Sequence, residues 1–87
     1  MPKIELYSTA VCPYCTAAKN LLKSKGLEWS ETRIDTDPTA FDAMRTRSGG
    51  RRTVPQIFIN DQHVGGFDDL VAADRSGKLG QLLGDAP

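Results

Sequence analysis

The stretch that decides the fold is Lys3–Cys15, KIELYSTAVCPYC, in which a short alternating run leads directly into a Cys-Pro-Tyr-Cys motif. The alternation of apolar and polar residues predicts a strand over Lys3–Tyr7, followed by a loop at Ser8–Val11. Pro13 suits the first turn of a helix, because the N–H group that proline lacks would have no partner there. The stretch therefore predicts a strand, a loop and a helix that runs to about Lys25.

Outward from this stretch, the same signals predict five further elements and a terminal turn. These are a strand over Leu27–Ile34, a helix from Pro38 to about Ser48 capped by Asp37, strands at Pro55–Ile59 and His63–Val64, a helix from about Asp68 to Arg75, and a last turn or two at Leu79, Leu82 and Leu83. The order β-α-β-α-β-β-α predicts an α/β fold: one four-stranded mixed sheet with helices on both faces.

Length and charge restrict the classes of function. At 87 residues the chain is long enough for one domain and too short for two, so we expect a single domain over residues 1–87. Acidic and basic residues number eleven each, which argues against a nucleic-acid-binding protein that relies on bulk charge. No apolar run approaches the roughly 20 residues that span a bilayer, and the N-terminal residues lack the pattern of a signal peptide. A cytoplasmic protein without a membrane partner is expected.

Both cysteines of the chain, Cys12 and Cys15, belong to the one motif. A secreted scaffold would spread its cysteines along the chain, and a structural zinc site would need two more ligands, whereas the one histidine is far away at His63. A redox pair without a metal is therefore predicted. Cys12 is placed at the N-cap of the first helix, where free N–H groups and the helix dipole stabilise a thiolate. Cys12 is predicted to attack, and the shielded Cys15 to resolve.

Thr53-Val54-Pro55 stands before the strongest apolar strand. A proline at the start of a strand removes a hydrogen bond of the ladder, so its presence needs a reason. Two alternatives remain open from the residues themselves. Pro55 is either an ordinary trans proline at an edge, or a cis proline that turns the N–H and C=O groups of Val54 outward to pair with an extended, peptide-like substrate.

Three other features are compatible with a ligand without requiring one. Gly65 and Gly66 allow close backbone approach, and the helix after them offers N–H donors to a carboxylate, unless Asp68 is simply its N-cap. Four of the six arginines lie within residues 45–52, as a solvated loop or as a cationic wall for an anion. Tyr14 covers the helix end, borders a substrate groove, or does both. The residues assigned to structure are His63, Trp29 and Phe58.

Three motifs at these spacings together resemble the glutaredoxins, most closely the short, single-domain dithiol glutaredoxins of bacteria. They are Cys-Pro-Tyr-Cys after the first strand, Thr-Val-Pro before the third, and Gly-Gly-Phe-Asp-Asp before the last helix. The resemblance covers essentially the whole chain. It implies a thioredoxin-like fold, a cis Pro55, and a glutathione-disulfide oxidoreductase that acts on protein disulfides and on protein–glutathione mixed disulfides. Ribonucleotide reductase is a typical client of the family, and we expect a monomer.

The same resemblance implies a partner for each part of glutathione. The cysteine of the ligand would bond to Cys12 and pair with the backbone of Val54. Its γ-glutamyl carboxylate would meet N–H groups near Phe67 and Asp68, and its glycine carboxylate would need a cation, for which Arg45 is the best-aligned candidate. The complete set of expected groove residues is Tyr14, Arg45, Thr53, Val54, Pro55, Gly66, Phe67 and Asp68.

The chain departs from the family pattern in three places. Thr9-Ala10-Val11 occupies the stretch where many members carry a lysine before the first cysteine. The loop at residues 49–52 is slightly longer, which leaves open whether Arg51 or Arg52 replaces that lysine. Phe67 stands where some relatives have a third cysteine, so oxidation at that position is excluded.

Two alternative functions compete with glutathione-dependent reduction. A hydrogen donor reduced by thioredoxin reductase tends to carry a different pair of residues between its cysteines and a Trp-Ser-Gly-Phe-Arg-Pro-type segment, which Gly65–Asp69 does not match. An iron–sulfur carrier would bridge a cluster between two subunits. Pro13 and Tyr14 disfavour that function, because family members that hold clusters usually have a more open or single-cysteine motif.

Overall fold

The protein is described here by a computed structural model that covers residues 2–84. Its elements are β1 (Ile4–Ser8), α1 (Pro13–Ser24), β2 (Ser30–Arg33), α2 (Pro38–Arg47), β3 (Gln56–Ile59), β4 (Gln62–Gly65), α3 (Phe67–Ser76) and α4 (Lys78–Leu82). The predicted order of strands and helices is confirmed, and α4 is the terminal turn that the last leucines indicate. Within residues 2–84, no helix is long and apolar enough to cross a membrane.

One mixed sheet joins the four strands in the order β2-β1-β3-β4. β1 pairs in parallel with β2, as a βαβ unit requires, and antiparallel with β3. β3 and β4 form the hairpin, whose turn residues Asn60 and Asp61 both have positive φ angles. Asparagine and aspartate tolerate this left-handed conformation better than most residues, which explains their position in the tight turn.

Each face of the sheet has its own apolar core, so the prediction of helices on both faces is confirmed. On one face, Leu6 and Ile57 are fully buried together with Leu22 of α1 and Leu70 of α3. On the other face, Phe58 packs with Met44 of α2. Strands β1 and β3 contribute side chains to both cores, because successive residues of a strand point to opposite faces of the sheet.

The N-terminal helices begin where the sequence predicts. Cys12 is the N-cap of α1 and Asp37 that of α2, and each is followed by a proline in the first turn. The carboxylate of Asp37 accepts the N–H groups of Thr39 and Ala40 at 3.0 and 3.3 Å. These donors have no acceptor within the helix, so the cap satisfies groups that would otherwise depend on water.

Asp37→Ala is therefore expected to lower the free energy of unfolding by about 1 kcal/mol, the usual contribution of an N-cap side chain. Urea denaturation of the two proteins measures this difference. Asp42→Ala is the matched control, because Asp42 lies on the exposed face of the same helix and contacts Arg45 only at 3.7 Å. A loss in the control as large as that in Asp37→Ala would assign the effect to net charge rather than to the cap.

The predicted second strand is wrong in length. β2 covers four residues instead of Leu27–Ile34, since its parallel register with β1 begins only at Ser30. Leu27 follows α1, and its N–H donates to the carbonyl oxygen of Leu22 in the last turn of that helix at 3.1 Å. Trp29, predicted as a core residue of the strand, lies just before β2 and is only half-buried against the core.

Arg47 ties α2 to the sheet. Its guanidinium group forms a two-pronged ion pair with Glu5, at 2.9 and 3.0 Å, and donates to the Tyr7 hydroxyl at 3.0 Å. It also lies 4.1 Å from the centre of the Phe58 ring. One of the four clustered arginines thus has a structural role.

Candidate active site

Cys12 and Cys15 lie at the N-terminus of α1, with their sulfur atoms joined in a disulfide and their Cα atoms 5.2 Å apart. The two residues differ in accessibility: Cys15 is 1% exposed, whereas Cys12 is only half-buried. The backbone N–H of Cys15 donates to the sulfur of Cys12 at 3.1 Å. The N-cap position therefore directs a helix N–H at the accessible sulfur, where it would stabilise a thiolate in the reduced protein.

The Thr53-Val54-Pro55 segment lies beside the cysteines. The Val54–Pro55 peptide bond is cis, which confirms the alternative that the family resemblance favours. The carbonyl oxygen of Val54 lies 3.9 Å from the sulfur of Cys12. A substrate disulfide at Cys12 is thus within reach of the polar backbone groups of Val54.

Gln56 supports this segment, although no sequence pattern singles it out. Its side chain is fully buried, and its amide donates to the carbonyl and hydroxyl oxygens of Thr53 at 3.1 and 3.3 Å. Its amide oxygen lies 2.7 Å from a ring nitrogen of His63. Burial and the nearby Arg51 lower the pKa of His63, so the imidazole is a neutral hydrogen-bonding partner, in keeping with its predicted structural role.

The start of α3 lies opposite the Thr53–Pro55 segment. Asp68 is not the N-cap of the helix; Gly66 is, and the carboxylate of Asp69 accepts the Gly66 N–H at 2.9 Å. This hydrogen bond, supported by Arg51, lowers the pKa of Asp69. Gly65 has a φ of +123°, and a Cβ atom there would collide with the Asp69 side chain. This tight turn therefore explains the glycine at position 65, whereas a Cβ atom at Gly66 would meet only ordinary contacts.

A groove of about 390 Å³ runs between the Thr53–Pro55 segment and the start of α3. This volume is within the range of about 300–1,000 Å³ for small-ligand sites. The groove is lined by Tyr14, Arg51, Thr53, Val54, Pro55, Gly66, Phe67, Asp68 and Asp69. The structure thus brings together seven of the eight expected groove residues.

Arg45 is the exception. It lies on α2, where its guanidinium group is 3.7 Å from Asp42 and stacks on Phe41 at 5.6 Å, and it lines a separate depression. Arg51 lines the groove instead and contacts the Asp69 carboxylate at 3.3 Å. The sequence places four arginines within residues 45–52, and only the folded loop shows which of them lines the groove.

Two aromatic rings border the groove. Tyr14 of α1 and Phe67 of α3 stack with their ring centres 6.1 Å apart. The Tyr14 side chain nevertheless remains 64% exposed. Of its two proposed positions, the one at the border of the groove agrees with the structure.

Comparison with known proteins identifies the family. The family model for glutaredoxin matches residues 4–64, which include the cysteine pair and the Thr53-Val54-Pro55 segment. The chain belongs to the glutaredoxin family. It is 51% identical over 83 residues to glutaredoxin 3 of Escherichia coli (strain K12), covering 95% of this chain and 99% of that protein. It is 53% identical over 81 residues to a probable glutaredoxin of Synechocystis, covering 93% of this chain and 92% of that protein.

A solved structure of similar fold has been determined with a ligand. The crystal structure of a buckwheat glutaredoxin–glutathione complex superimposes with a TM-score of 0.82 at 30% identity, covering 92% of this chain and 74% of that one. The thioredoxin-like fold of this glutaredoxin is thereby confirmed. Glutaredoxins are thiol–disulfide oxidoreductases, so the predicted enzyme class, with a dithiol pair at Cys12 and Cys15, is also confirmed.

Proposed function

We propose that this glutaredoxin reduces protein disulfides and protein–glutathione mixed disulfides with electrons from glutathione, which binds in the groove beside Cys12. The observation that carries the proposal is the groove itself, which begins within 3.9 Å of the Cys12 sulfur at Val54 and ends at Arg51 and α3. The buckwheat relative of known structure is a complex with glutathione, which supports the choice of ligand.

The groups along the groove match a zwitterionic tripeptide. The N–H and C=O groups of Val54 suit the backbone of the central cysteine, as in strand addition. The N–H groups of Phe67 and Asp68 belong to the first turn of α3 and have no acceptor within the helix, so they suit the γ-glutamyl carboxylate. The Asp68 carboxylate suits the ammonium group. Arg51 lies at the same end of the groove, 3.3 Å from the Asp69 carboxylate, and so suits the γ-glutamyl carboxylate as well.

In the proposed reaction, the Cys12 thiolate attacks a sulfur of the client disulfide and forms a mixed disulfide, while the other client sulfur leaves as a thiolate. The Cys15 thiolate then attacks the Cys12 sulfur, which releases the reduced client and closes the Cys12–Cys15 disulfide. Two glutathione molecules restore the dithiol and become glutathione disulfide. The client gains two electrons, and the two glutathiones lose them.

The proposal also covers the compartment, the oligomeric state and the clients of the enzyme. A cysteine pair that is reduced by glutathione requires a reducing thiol pool, which is a property of the cytoplasm. One chain supplies every residue that lines the groove, so a single domain over residues 1–87 acting as a monomer suffices. Disulfide-containing and glutathionylated proteins are the proposed clients, with ribonucleotide reductase as the one to test first.

Arg51→Gln tests the groove directly. We expect the KM for a glutathionylated peptide to rise about five- to tenfold with little change in kcat, because a charged hydrogen bond to a carboxylate of the ligand is lost at a half-exposed side chain. Arg45→Gln removes the same charge from α2 and is expected to leave the KM near the wild-type value. The measurement is steady-state turnover at fixed glutathione concentration.

Two other outcomes for the Arg45 and Arg51 variants would contradict the proposed binding mode. A rise in KM with Arg45→Gln and none with Arg51→Gln would assign the carboxylate to α2 and contradict the proposed binding mode. Loss of turnover in both variants, with unchanged thermal stability, would indicate that net positive charge rather than a specific contact draws the ligand.

A further inference from the structure

Gln56 is the largest polar residue that is fully buried among residues 2–84, and it lies next to the segment that lines the groove. It is the first residue of β3 and points to the same face of the sheet as Phe58, two positions further along. A methionine would fill a similar volume without an amide group, and burial of an amide is unfavourable unless its hydrogen bonds are made. The contacts of the Gln56 amide therefore have to explain its presence.

The amide nitrogen of Gln56 holds Thr53 at the edge of the groove. It donates to the carbonyl oxygen of Thr53 at 3.1 Å and to the hydroxyl oxygen at 3.3 Å. Thr53 and Val54 belong to no helix or strand, and within residues 2–84 neither makes a hydrogen bond to another backbone group. The side chain of Gln56 thus supplies the hydrogen bonds that fix the residue immediately before Val54.

The amide oxygen of Gln56 faces His63 on β4. It lies 2.7 Å from Nε2 of the imidazole, and Nε2 carries the proton of this hydrogen bond because an amide oxygen can only accept. The imidazole lies against the Phe58 ring, with ring centres 5.0 Å apart, and β4 is an edge strand on which His63 as a whole residue is exposed. One buried amide therefore connects a surface residue to the wall of the groove.

We propose that Gln56 is a positioning residue for glutathione and that His63 orients its amide group, an inference that rests on the proposed function. The donor at His63 favours the orientation in which the amide nitrogen faces Thr53. Gln56 does not itself line the groove, so it acts through the Thr53–Val54 backbone. A segment that is already ordered in the free protein binds its ligand more tightly, because less freedom is lost on binding.

Gln56 should affect the recognition of glutathione rather than the reactivity of sulfur. The backbone groups of Val54 are the proposed partners of the peptide part of the ligand, whereas the Cys12 sulfur accepts the N–H of Cys15 in the first turn of α1. A merely structural role of Gln56 predicts another pattern, in which its loss lowers the melting temperature but changes no preference among substrates.

The test compares two mixed disulfides of one cysteine-containing peptide, the first with glutathione and the second with 2-mercaptoethanol. Cys12 releases the same peptide thiolate from both, but only the first offers a tripeptide to the groove. Single-turnover reduction by the fully reduced protein is followed at increasing peptide concentration, without added glutathione. The enzyme dithiol supplies both electrons and closes the Cys12–Cys15 disulfide, and the rate with dithiothreitol corrects for the intrinsic reactivity of each adduct.

Gln56→Met keeps the length of the side chain and removes the amide group. We expect the half-saturating concentration of the glutathione adduct to rise about five- to tenfold with little change in the limiting rate, the effect of about one hydrogen bond. The rate with the 2-mercaptoethanol adduct and the pH dependence of Cys12 alkylation should stay close to wild type. Ile59→Val is the matched control, because it removes a methyl group from the same strand in the other core. It should lower the melting temperature without changing the half-saturating concentration.

His63→Phe tests the orientation of the amide. The substitution keeps a ring against Phe58 and removes the donor to Gln56, and the exposure of His63 makes it a mild change for the fold. We expect a two- to threefold rise, roughly, in the half-saturating concentration of the glutathione adduct. Combined with Gln56→Met, it should add nothing further, because His63 acts through Gln56.

Four results would contradict these roles. An unchanged half-saturating concentration in Gln56→Met, an equal loss of rate with both adducts, or the same rise in Ile59→Val would each exclude a positioning role for Gln56. A rise from His63→Phe that is as large in the Gln56→Met background would exclude the action of His63 through Gln56. Failure of the proposed function gives a different result, because the wild-type protein itself would then reduce both adducts alike.

Discussion

Cys12→Ser is expected to abolish reduction of every disulfide substrate, by roughly a thousandfold or more, as when other enzymes lose a covalent nucleophile. The serine hydroxyl fits the same N-cap position but remains protonated at neutral pH and does not attack sulfur. Cys15 cannot substitute for it, because only 1% of its surface is exposed. Reduction of a disulfide protein and of a glutathionylated peptide, each at saturating glutathione, measures the loss.

The fold should survive this change. Serine is a good N-cap residue, so the N–H of Cys15 keeps an acceptor at position 12 and the melting temperature of the reduced protein should change little. Residual activity of one tenth or more in a well-folded Cys12→Ser protein would contradict the assignment of the nucleophile.

Cys15→Ser is expected to separate the two reactions. Removal of a glutathione moiety from a protein needs only Cys12: the thiolate takes the glutathione sulfur, the protein leaves as a thiolate, and a second glutathione restores Cys12 and yields glutathione disulfide. Reduction of a protein disulfide depends on the Cys15 attack that releases the client. We therefore expect near wild-type deglutathionylation and loss of most protein-disulfide reduction.

The predicted intermediate gives this experiment a direct signal. With a disulfide client, Cys15→Ser should accumulate a mixed disulfide that is detected by non-reducing gel electrophoresis. Dithiothreitol should reduce this adduct. Combining Cys12→Ser with Cys15→Ser should remove the adduct. Loss of both reactions in Cys15→Ser would show that Cys15 does more than resolve, and equal retention of both would show that it does not resolve at all.

Many glutaredoxins have a lysine before the first cysteine, and the structure shows which cations lie near Cys12 in its absence. The Thr9–Val11 loop lacks a cation, and Arg33 is paired with Asp35, the carboxylate that accepts the Ala10 N–H. The cation of the groove, Arg51, comes from the opposite loop and is shared with Asp69. The contact in the structure that would stabilise a Cys12 thiolate is the Cys15 N–H at the start of α1.

Local signals were sufficient for the elements of this fold. Pro13 and Pro38 mark the starts of α1 and α2, because proline is favoured in a first helical turn, and Gly26 follows α1 in the left-handed conformation that ends many helices. The exception was β2, whose length depends on the few residues of β1 that it can pair with. Pairing partners are distant in sequence, so no local pattern reveals where such a strand begins.

The sequence by itself determined the redox pair, the helix that activates it and the family, since these depend on residues adjacent in the chain. Only the tertiary structure decided which arginine enters the groove and which aspartate accepts the Gly66 N–H at the start of α3. Arg45 and Arg51 carry the same charge six positions apart, and Asp68 and Asp69 are neighbours of the same chemistry. Their positions differ because packing directs Arg51 toward the groove beside Cys12 and Asp69 toward the helix end.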